Sequence, residues 1–171
     1  MSARIAYGLT SDPTKINVIK VWPGDGRNDS VKVPSVIKYG DIEDDDLEPI
    51  GFNWGYEVSG NEEGVIRGIK LGLDPGNRQF WAPAAGVGPG DNLTHLYEQT
   101  TKSELVRLSK STVDIVSDYI AAVYEYALSK IRERELSVVS ALPKQFVVTV
   151  PAIWSDVAKN ATLRVGVGRS A

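Results

Sequence analysis

The sequence predicts an α/β protein, on three observations. Short runs rich in β-branched residues fill the first half of the chain, a long stretch with helical periodicity spans about 103–135, and an apolar strand-type run at 145–150 precedes a helix. Alternation with a period of two indicates strands, whereas apolar residues that recur every three or four positions indicate a helix. The chain has 171 residues, which is enough to bury a sizeable core.

Two runs near the N-terminus, 3–9 and 15–22, predict a hairpin because a turn signal, Ser-Asp-Pro-Thr, separates them. The run at 31–40 predicts a further strand. Pro34 places it at an edge or at a strand start, since proline cannot donate to a ladder of hydrogen bonds. Together these runs form a group of N-terminal strands at 4–40.

Residues 41–135 are interpreted as an inserted subdomain. The region opens with an acidic turn at 41–49, continues with an alternating run at 51–60 and an ambiguous run at 65–75, and then becomes rich in proline and glycine. Neither proline nor glycine interrupts the helical pattern from about 103 to 135. The sequence therefore predicts one long helix of about thirty residues.

The region 145–166 predicts a core strand, a proline stop and a helix. Its run Gln-Phe-Val-Val-Thr-Val is almost continuously apolar or β-branched, which is typical of a central strand covered on both faces. Pro151 ends this strand. Ser155 or Asp156 can cap the helix that follows, because short oxygen-bearing side chains accept hydrogen bonds from free helical N–H groups.

Composition argues against several classes of function. The net charge is −3, so no basic face for nucleic acid is expected. The chain has no cysteine and one histidine, His95, which argues against disulfides, thiolate zinc sites and histidine-based triads. No apolar run reaches eighteen residues and the N-terminus lacks a signal-peptide pattern, so we expect a cytoplasmic protein without a membrane span.

Two loops invite a ligand but do not match known ligand patterns. The acidic turn at 41–49 lacks the glycine and the terminal glutamate of a calcium loop. The stretch at 75–92 is rich in glycine, but no Gly-Lys-Ser/Thr follows and no strand precedes it. We interpret both as surface loops, and no metal ligands are expected.

The segment TVPAIWSDVAKNATLRVG resembles the strand–proline–helix segment of the DnaK-type heat-shock chaperones, the seventy-kilodalton family. KVPSVIKYG is similar to the segment where the second subdomain of that family begins, and IRGIKLGLDP is similar to its lysine-bearing segment. The long helix before the final strand also falls where the family has one. The segments WPG, YGD, KLGLDP and VPAIWSD are similar to divergent fungal heat-shock-like proteins.

This resemblance implies a partial actin-like ATPase lobe, of ribonuclease H-like fold, with a mixed sheet and a long helix. In the intact family ATP and magnesium bind between two lobes, and hydrolysis drives an attached peptide-binding domain that assists protein folding. By resemblance, Lys70 is the catalytic lysine that reaches the γ-phosphate. Pro151 is the proline that couples nucleotide state to the partner domain, and Lys159 is the basic residue beside it, where the family usually has arginine.

Parts of the family pattern are missing from the sequence. The opening turn Asp-x-Gly-Thr-Thr is absent, and the chain stops before the second lobe. We therefore expect a lobe truncated at both ends, which does not hydrolyse ATP alone and does not bind it tightly. The alternatives are a non-enzymatic protein-interaction module and a non-functional fragment. A sheet without its first strand exposes an edge, so a protein partner or self-association is expected there.

Overall fold

The computed structural model confirms the α/β class, with short strands and three helices among the described residues. It describes residues 2–26, 29–41, 51–59, 62–69, 71–73, 93–135, 142–150 and 154–167. The strands are β1 (Ser2–Ala3), β2 (Ala6–Leu9), β3 (Asp12–Val18), β4 (Val33–Pro34), β5 (Val36–Tyr39), β6 (Phe52–Trp54) and β7 (Ile66–Arg67). The helices are α1 (Leu93–Arg107), α2 (Thr112–Glu135) and α3 (Asp156–Val167).

Every strand pair in the described part of the chain is antiparallel. The pairs are β1 with β4 and β2 with β3, and a third sheet has the order β6-β5-β7. The predicted hairpin is confirmed in β2 and β3, although the run 3–9 is divided because β1 takes a different partner. The expected mixed sheet is not found among these residues. A parallel pair would need a long crossover.

The run at 51–60 is a strand only as far as Trp54. Gly55 has a φ of 63° and begins a short 3-10 turn, so the chain leaves the extended conformation there. A Cβ at this position would lie 2.6 Å from Val33 Cγ2, so only glycine fits. The ambiguous run at 65–75 is extended at β7 and ends in a second 3-10 turn, Leu71–Leu73.

One core unites the three regions of the chain. Its buried side chains come from the N-terminal strands, from the sheet β6-β5-β7, from α2 and from the start of α3. Aromatic rings occupy its centre, where Trp22 stacks on Tyr126 and Trp54 meets Trp22 and Tyr119 edge to face. Edge-to-face and stacked pairs add to the hydrophobic stabilisation of a core.

The prediction of one helix over 103–135 is wrong, because α1 ends at Arg107 and α2 begins at Thr112. Ser109 has a φ of 49°, the left-handed conformation that ends a helix. The N–H of Lys110 donates to Leu105 O at 3.1 Å, and the N–H of Ser109 donates to Val106 O at 3.2 Å. This pattern is a Schellman motif, which satisfies the last carbonyl groups of a helix.

A capping box then starts α2. The N–H of Ser111 donates to Asp114 Oδ2 at 2.8 Å, and the N–H of Asp114 donates to Ser111 Oγ at 3.2 Å. These bonds satisfy main-chain donors that a helix start leaves free. The hydrogen bonds from Ser111 also hold the pKa of Asp114 below its usual value.

Replacing Ser109 by glycine is expected to raise the free energy of unfolding by about 0.5 to 1 kcal/mol. Glycine adopts a positive φ without the steric cost that serine bears there. Urea unfolding followed by circular dichroism measures the change. Ser103→Gly, in the regular part of α1, serves as the control and should destabilise the protein. A destabilised Ser109→Gly variant would contradict the assigned helix end.

The prediction of a buried central strand at 145–150 is also wrong. Residues 142–150 form no strand, and the exposed fractions of Phe146, Val147 and Val148 are 62%, 84% and 52%. Three consecutive apolar side chains are therefore open to solvent. Strand propensity requires neighbouring strands, and the described part of the chain supplies none here.

The predicted cap of the last helix is confirmed at Ser155. Helix α3 begins at Asp156, and the N–H of Ala158 donates to Ser155 Oγ at 3.3 Å. Trp154 and Ala158 are buried in the core, and Thr162 Oγ1 donates to Ala158 O at 2.9 Å. The start of α3 is therefore fixed on the core directly after the exposed segment.

Candidate functional site

The site residues implied by the family resemblance are only partly within the described part of the chain. Lys70 and Pro151 lie outside the described residues, as do most of the acidic turn at 41–49 and the glycine-rich loop at 75–92. Lys159 lies on the first turns of α3 and is half-exposed. Its Nζ lies 3.1 Å from Asp156 Oδ1, an ion pair between positions i and i+3.

The Lys159 ion pair is local to its helix. The side chain of Asp156 is 93% exposed, so the pair is screened by water and contributes little to stability. Lysine presents a compact charge, whereas arginine can hold a carboxylate with two parallel bonds. A coupling role for Lys159 therefore remains a prediction.

The stretch at 142–150, which we call the exposed segment, is the main candidate site. It carries exposed apolar side chains and follows the surface of α2, where the Phe146 ring meets Tyr124 edge to face at 5.0 Å. Val150, at its end, is partly buried against the core. The segment is thus held at one end and by one ring, while its middle is open to solvent.

The exposed segment has the residue composition of a β-strand that has no partner strand among the described residues. Phe146, Val147, Val148 and Thr149 have high β propensity, and they belong to no strand or helix of the structure. A strand-type segment without a ladder presents main-chain N–H and C=O groups to a partner. An added strand would satisfy these groups and cover the apolar side chains. Gln145 and Lys144 provide the nearest polar side chains in the sequence.

A buried polar cluster lies elsewhere, between β5 and α2. Tyr39 Oη donates to Asp118 Oδ2 at 2.8 Å, and Lys110 Nζ donates to the same oxygen at 3.1 Å. Lys110 Nζ also lies 5.6 Å from the centroid of the Tyr39 ring. Tyr39 and Asp118 are 4% and 7% exposed, so a substrate cannot reach the carboxylate. The cluster joins β5 to α2 and to the turn before α2, and it stabilises their packing.

A second polar contact joins the end of β5 to α1. Arg107 donates from Nε and Nη2 to Glu104 Oε2 at 3.0 and 2.7 Å, and from Nη1 to Gly40 O at 3.4 Å. The bonds to Glu104 stay within α1 and orient the guanidinium, and the bond to Gly40 O connects the end of α1 with the end of β5. Sequence reasoning missed them, although the spacing Ser111-x-x-Asp114 signals the helix break on which they depend.

Comparisons with protein-family models, with curated proteins and with solved structures find no match to this chain.

Magnesium and ATP are the ligands that the family resemblance implies for the part of the protein that includes the described residues. Among them, no three histidine, cysteine, aspartate or glutamate side chains are grouped so as to hold a metal ion. The sequence has no Asp-x-Gly-Thr-Thr turn, whose main-chain N–H groups would cradle phosphate. Searched over the same residues, the helices include none that is long and apolar enough to cross a membrane.

Tyr119 is expected to make stability fall at alkaline pH. Burial raises its pKa to about 12 from 10.0, and its Oη donates to Pro34 O at 2.9 Å. Because the folded pKa is raised, this contribution is fully present below pH 10 and is lost as the pH rises through about 12. The loss amounts to about 2 to 3 kcal/mol at most.

Urea unfolding at several pH values between 9 and 12 measures this effect. The variant Tyr119→Phe should lose about 1 kcal/mol at neutral pH through the missing hydrogen bond. Above pH 10 its stability should decline less steeply than that of the unmodified protein. Equal slopes for the two proteins would show that Tyr119 does not ionise with the raised pKa.

Proposed function

We propose that this chain is part of a heat-shock-chaperone-like, ATP-binding protein of actin-like fold, and that it contributes one wall of the nucleotide cleft without hydrolysing ATP by itself. One observation carries the proposal. The strand-type run QFVVTV, which leads into the segment that resembles the family, is exposed and has no strand partner among the described residues. Directly after it, helix α3 is capped and fixed on the core.

The arrangement supports a strand that completes its sheet with residues other than those described. If the segment were an ordinary loop, a polar composition would be expected, because three consecutive large apolar side chains in water are unfavourable. Val150 and Trp154 already anchor the segment and the helix start to the core. A second strand could therefore add without rearrangement of the fold.

Catalysis is not expected from the chain alone. Phosphoryl transfer depends on several charged groups that act together from opposite walls of a closed site. Lys70, the lysine implied by the resemblance, would supply one of these groups. Lys159 is paired with Asp156 in the same helix. ATP-dependent protein folding is therefore proposed for the complete assembly, and the role proposed here for these residues is structural.

Strand complementation tests the proposal. The probe is a synthetic peptide in which four β-branched residues precede Asp-Ala-Gly-Thr-Thr, the form of the turn that the family has and this chain lacks. We expect the peptide to slow amide hydrogen exchange at Phe146–Thr149. Mg-ATP without the peptide is expected to leave the thermal midpoint unchanged, since a ligand raises stability only if it binds the folded state.

Two variants of the chain are matched for this experiment. Val148→Pro removes one N–H from the exposed segment and should abolish the protection, whereas Val148→Thr keeps the N–H and should retain it. Residue 148 belongs to no strand or helix, so both variants should fold. Two results would contradict the proposal. One is that the peptide still slows amide hydrogen exchange at Phe146–Thr149 in Val148→Pro, and the other is that Mg-ATP alone raises the thermal midpoint.

A non-enzymatic interaction module is the second candidate function. It is favoured by two further exposed apolar side chains on α3, Val157 and Leu163, which add apolar surface to the part of the chain after the exposed segment. The same experiment separates the two candidates. If the chain is an interaction module that pairs with any strand, a peptide with a scrambled turn should bind as well as the original peptide. If the chain is part of the nucleotide-binding protein, the scrambled peptide should bind less well, because the turn makes contacts of its own.

A further inference from the structure

A groove of about 580 Å³ lies between the end of β3 and the last turns of α2. Residues 16–21 form one wall, and Lys130, Glu133 and Arg134 form the other. These three residues share one helix face, since positions three and four apart are neighbours on a helix.

The groove follows the edge of β3 and not one of its faces. Side chains of a strand alternate between faces, and residues 16–18 of β3 line the groove in succession together with the three residues that follow the strand, so the wall includes the main-chain edge. Among the described residues, β3 pairs with β2 alone. The pairs Tyr7 with Asn17 and Ala6 with Val18 define the register, and the N–H of Ile19 donates to Ile5 O at 3.0 Å.

This register determines which main-chain groups point into the groove. Ile19 and Asn17 direct their N–H and C=O groups towards β2, so Val18 and Lys20 direct theirs away from it. The register shifts between Tyr7 and Leu9, so this alternation is not extended to Ile16. Lys20 O already accepts from the N–H of Ser30 at 2.7 Å. Val18 therefore remains for hydrogen bonds with a further strand, and the Ile16 side chain nearby is 63% exposed.

The charge of the groove selects the partner. Three cationic side chains, Lys20, Lys130 and Arg134, line it against one carboxylate, Glu133. Lys130 Nζ donates to both oxygens of Glu133, at 3.0 and 2.8 Å, so this carboxylate occupies the place that an acidic ligand would take. Lys20 is only loosely paired, with Nζ 3.8 Å from Asp29 Oδ1 on an open surface.

We propose that an extended peptide segment with acidic side chains adds to the edge of β3 at Val18, beside the exposed Ile16 side chain, and that its carboxylates meet Lys20, Lys130 and Arg134. Main-chain hydrogen bonds give such a complex its affinity, and the complementary charges give it specificity for acidic peptides. The chain as a whole carries a net charge of −3, so the cationic lining is a local feature. This inference does not rest on the nucleotide-related function proposed above.

The test is an NMR titration of the full chain with two blocked heptapeptides, Thr-Glu-Val-Asp-Val-Glu-Thr and its counterpart with lysine at the acidic positions. The acidic peptide is expected to bind about tenfold more tightly at low salt, and the amide signals of Ile16 and Val18 should shift. Val18→Pro removes an N–H that points away from β2, so it should abolish binding while the hairpin remains.

Charge variants make the test specific. Lys130→Gln should weaken binding about threefold and Glu133→Gln should strengthen it about threefold, which are the sizes expected for exposed ion pairs. Lys32→Gln, an exposed position that does not line the groove, changes the net charge as Lys130→Gln does and should have no effect. A purely structural role for Lys130 and Glu133 would not give opposite signs.

Three results would overturn the inference. One is equal affinity for the two peptides, and another is weaker binding by Glu133→Gln. The third is protection of Val18 that grows with chain concentration in the absence of peptide, which would assign the edge to a second copy of the chain. Binding by the exposed segment is separable, because Val148→Pro should leave this titration unchanged.

Discussion

Replacing Asp118 by alanine is expected to lower the free energy of unfolding by about 3 kcal/mol. The substitution leaves two buried or partly buried donors, Tyr39 Oη and Lys110 Nζ, without the carboxylate that accepts from both. Removing one partner of a buried ion pair typically costs about 3 to 5 kcal/mol. The lower value applies here, because a quarter of the Lys110 side chain is exposed and can recruit water.

Urea unfolding at pH 7 measures the loss, with Glu125→Ala as the control. Glu125 is exposed on the same helix, so its replacement should change stability by less than about 0.5 kcal/mol. In a Tyr39→Phe background the cost of Asp118→Ala should be smaller, because one of the stranded donors is gone. If the free energy of unfolding of Asp118→Ala lies within 1 kcal/mol of that of the unmodified protein, the cluster does not stabilise the fold as stated.

Replacing Trp22 by alanine is expected to cost about 3 to 5 kcal/mol, the range found when a large aromatic side chain is removed from a core. Trp22 is 2% exposed and contacts Trp54 and Tyr126 with ring centroids 6.4 and 5.8 Å away. Its Nε1 donates to Ser30 O at 2.6 Å, and this carbonyl would lose its partner. The loop that leads back to β4 would therefore lose its anchor.

The control for this prediction is Trp22→Phe, which keeps a ring but removes the donor. Its cost should lie well below that of Trp22→Ala, because much of the volume is retained. Equilibrium unfolding followed by near-ultraviolet circular dichroism reports on the aromatic cluster directly. Similar stability of Trp22→Ala and the unmodified protein would show that the cluster is not the centre of the core.

Local patterns predicted the elements whose signals are local. The hairpin of β2 and β3 and the cap at Ser155 depend on a few neighbouring residues, and both predictions are confirmed. The predicted turn at 11–14 is displaced, because β3 already begins at Asp12. The break between α1 and α2 was missed because apolar periodicity continues across it. Its signal was nevertheless present in the sequence as Ser111 and Asp114, three positions apart.

Features that depend on distant residues could not be predicted in the same way. Asp118 lies in a helix that the pattern makes amphipathic, and nothing near it in sequence indicates that Tyr39 will meet it. The run at 145–150 has the composition of a buried strand, but burial is decided by which other segments cover it. The composition of the run indicates that it can form a buried strand. Whether it does so depends on other segments that could cover it.

The central claim is that residues 146–149 have the composition of a strand but are exposed and have no strand partner among the described residues, while the described core is packed. Amide hydrogen exchange of the chain alone tests it most directly. We predict that Phe146–Thr149 exchange within about tenfold of the rate of an unstructured peptide, whereas Ile37, at the centre of the sheet β6-β5-β7, is protected by the global stability. Protection at Phe146–Thr149 equal to that of Ile37 would contradict the account.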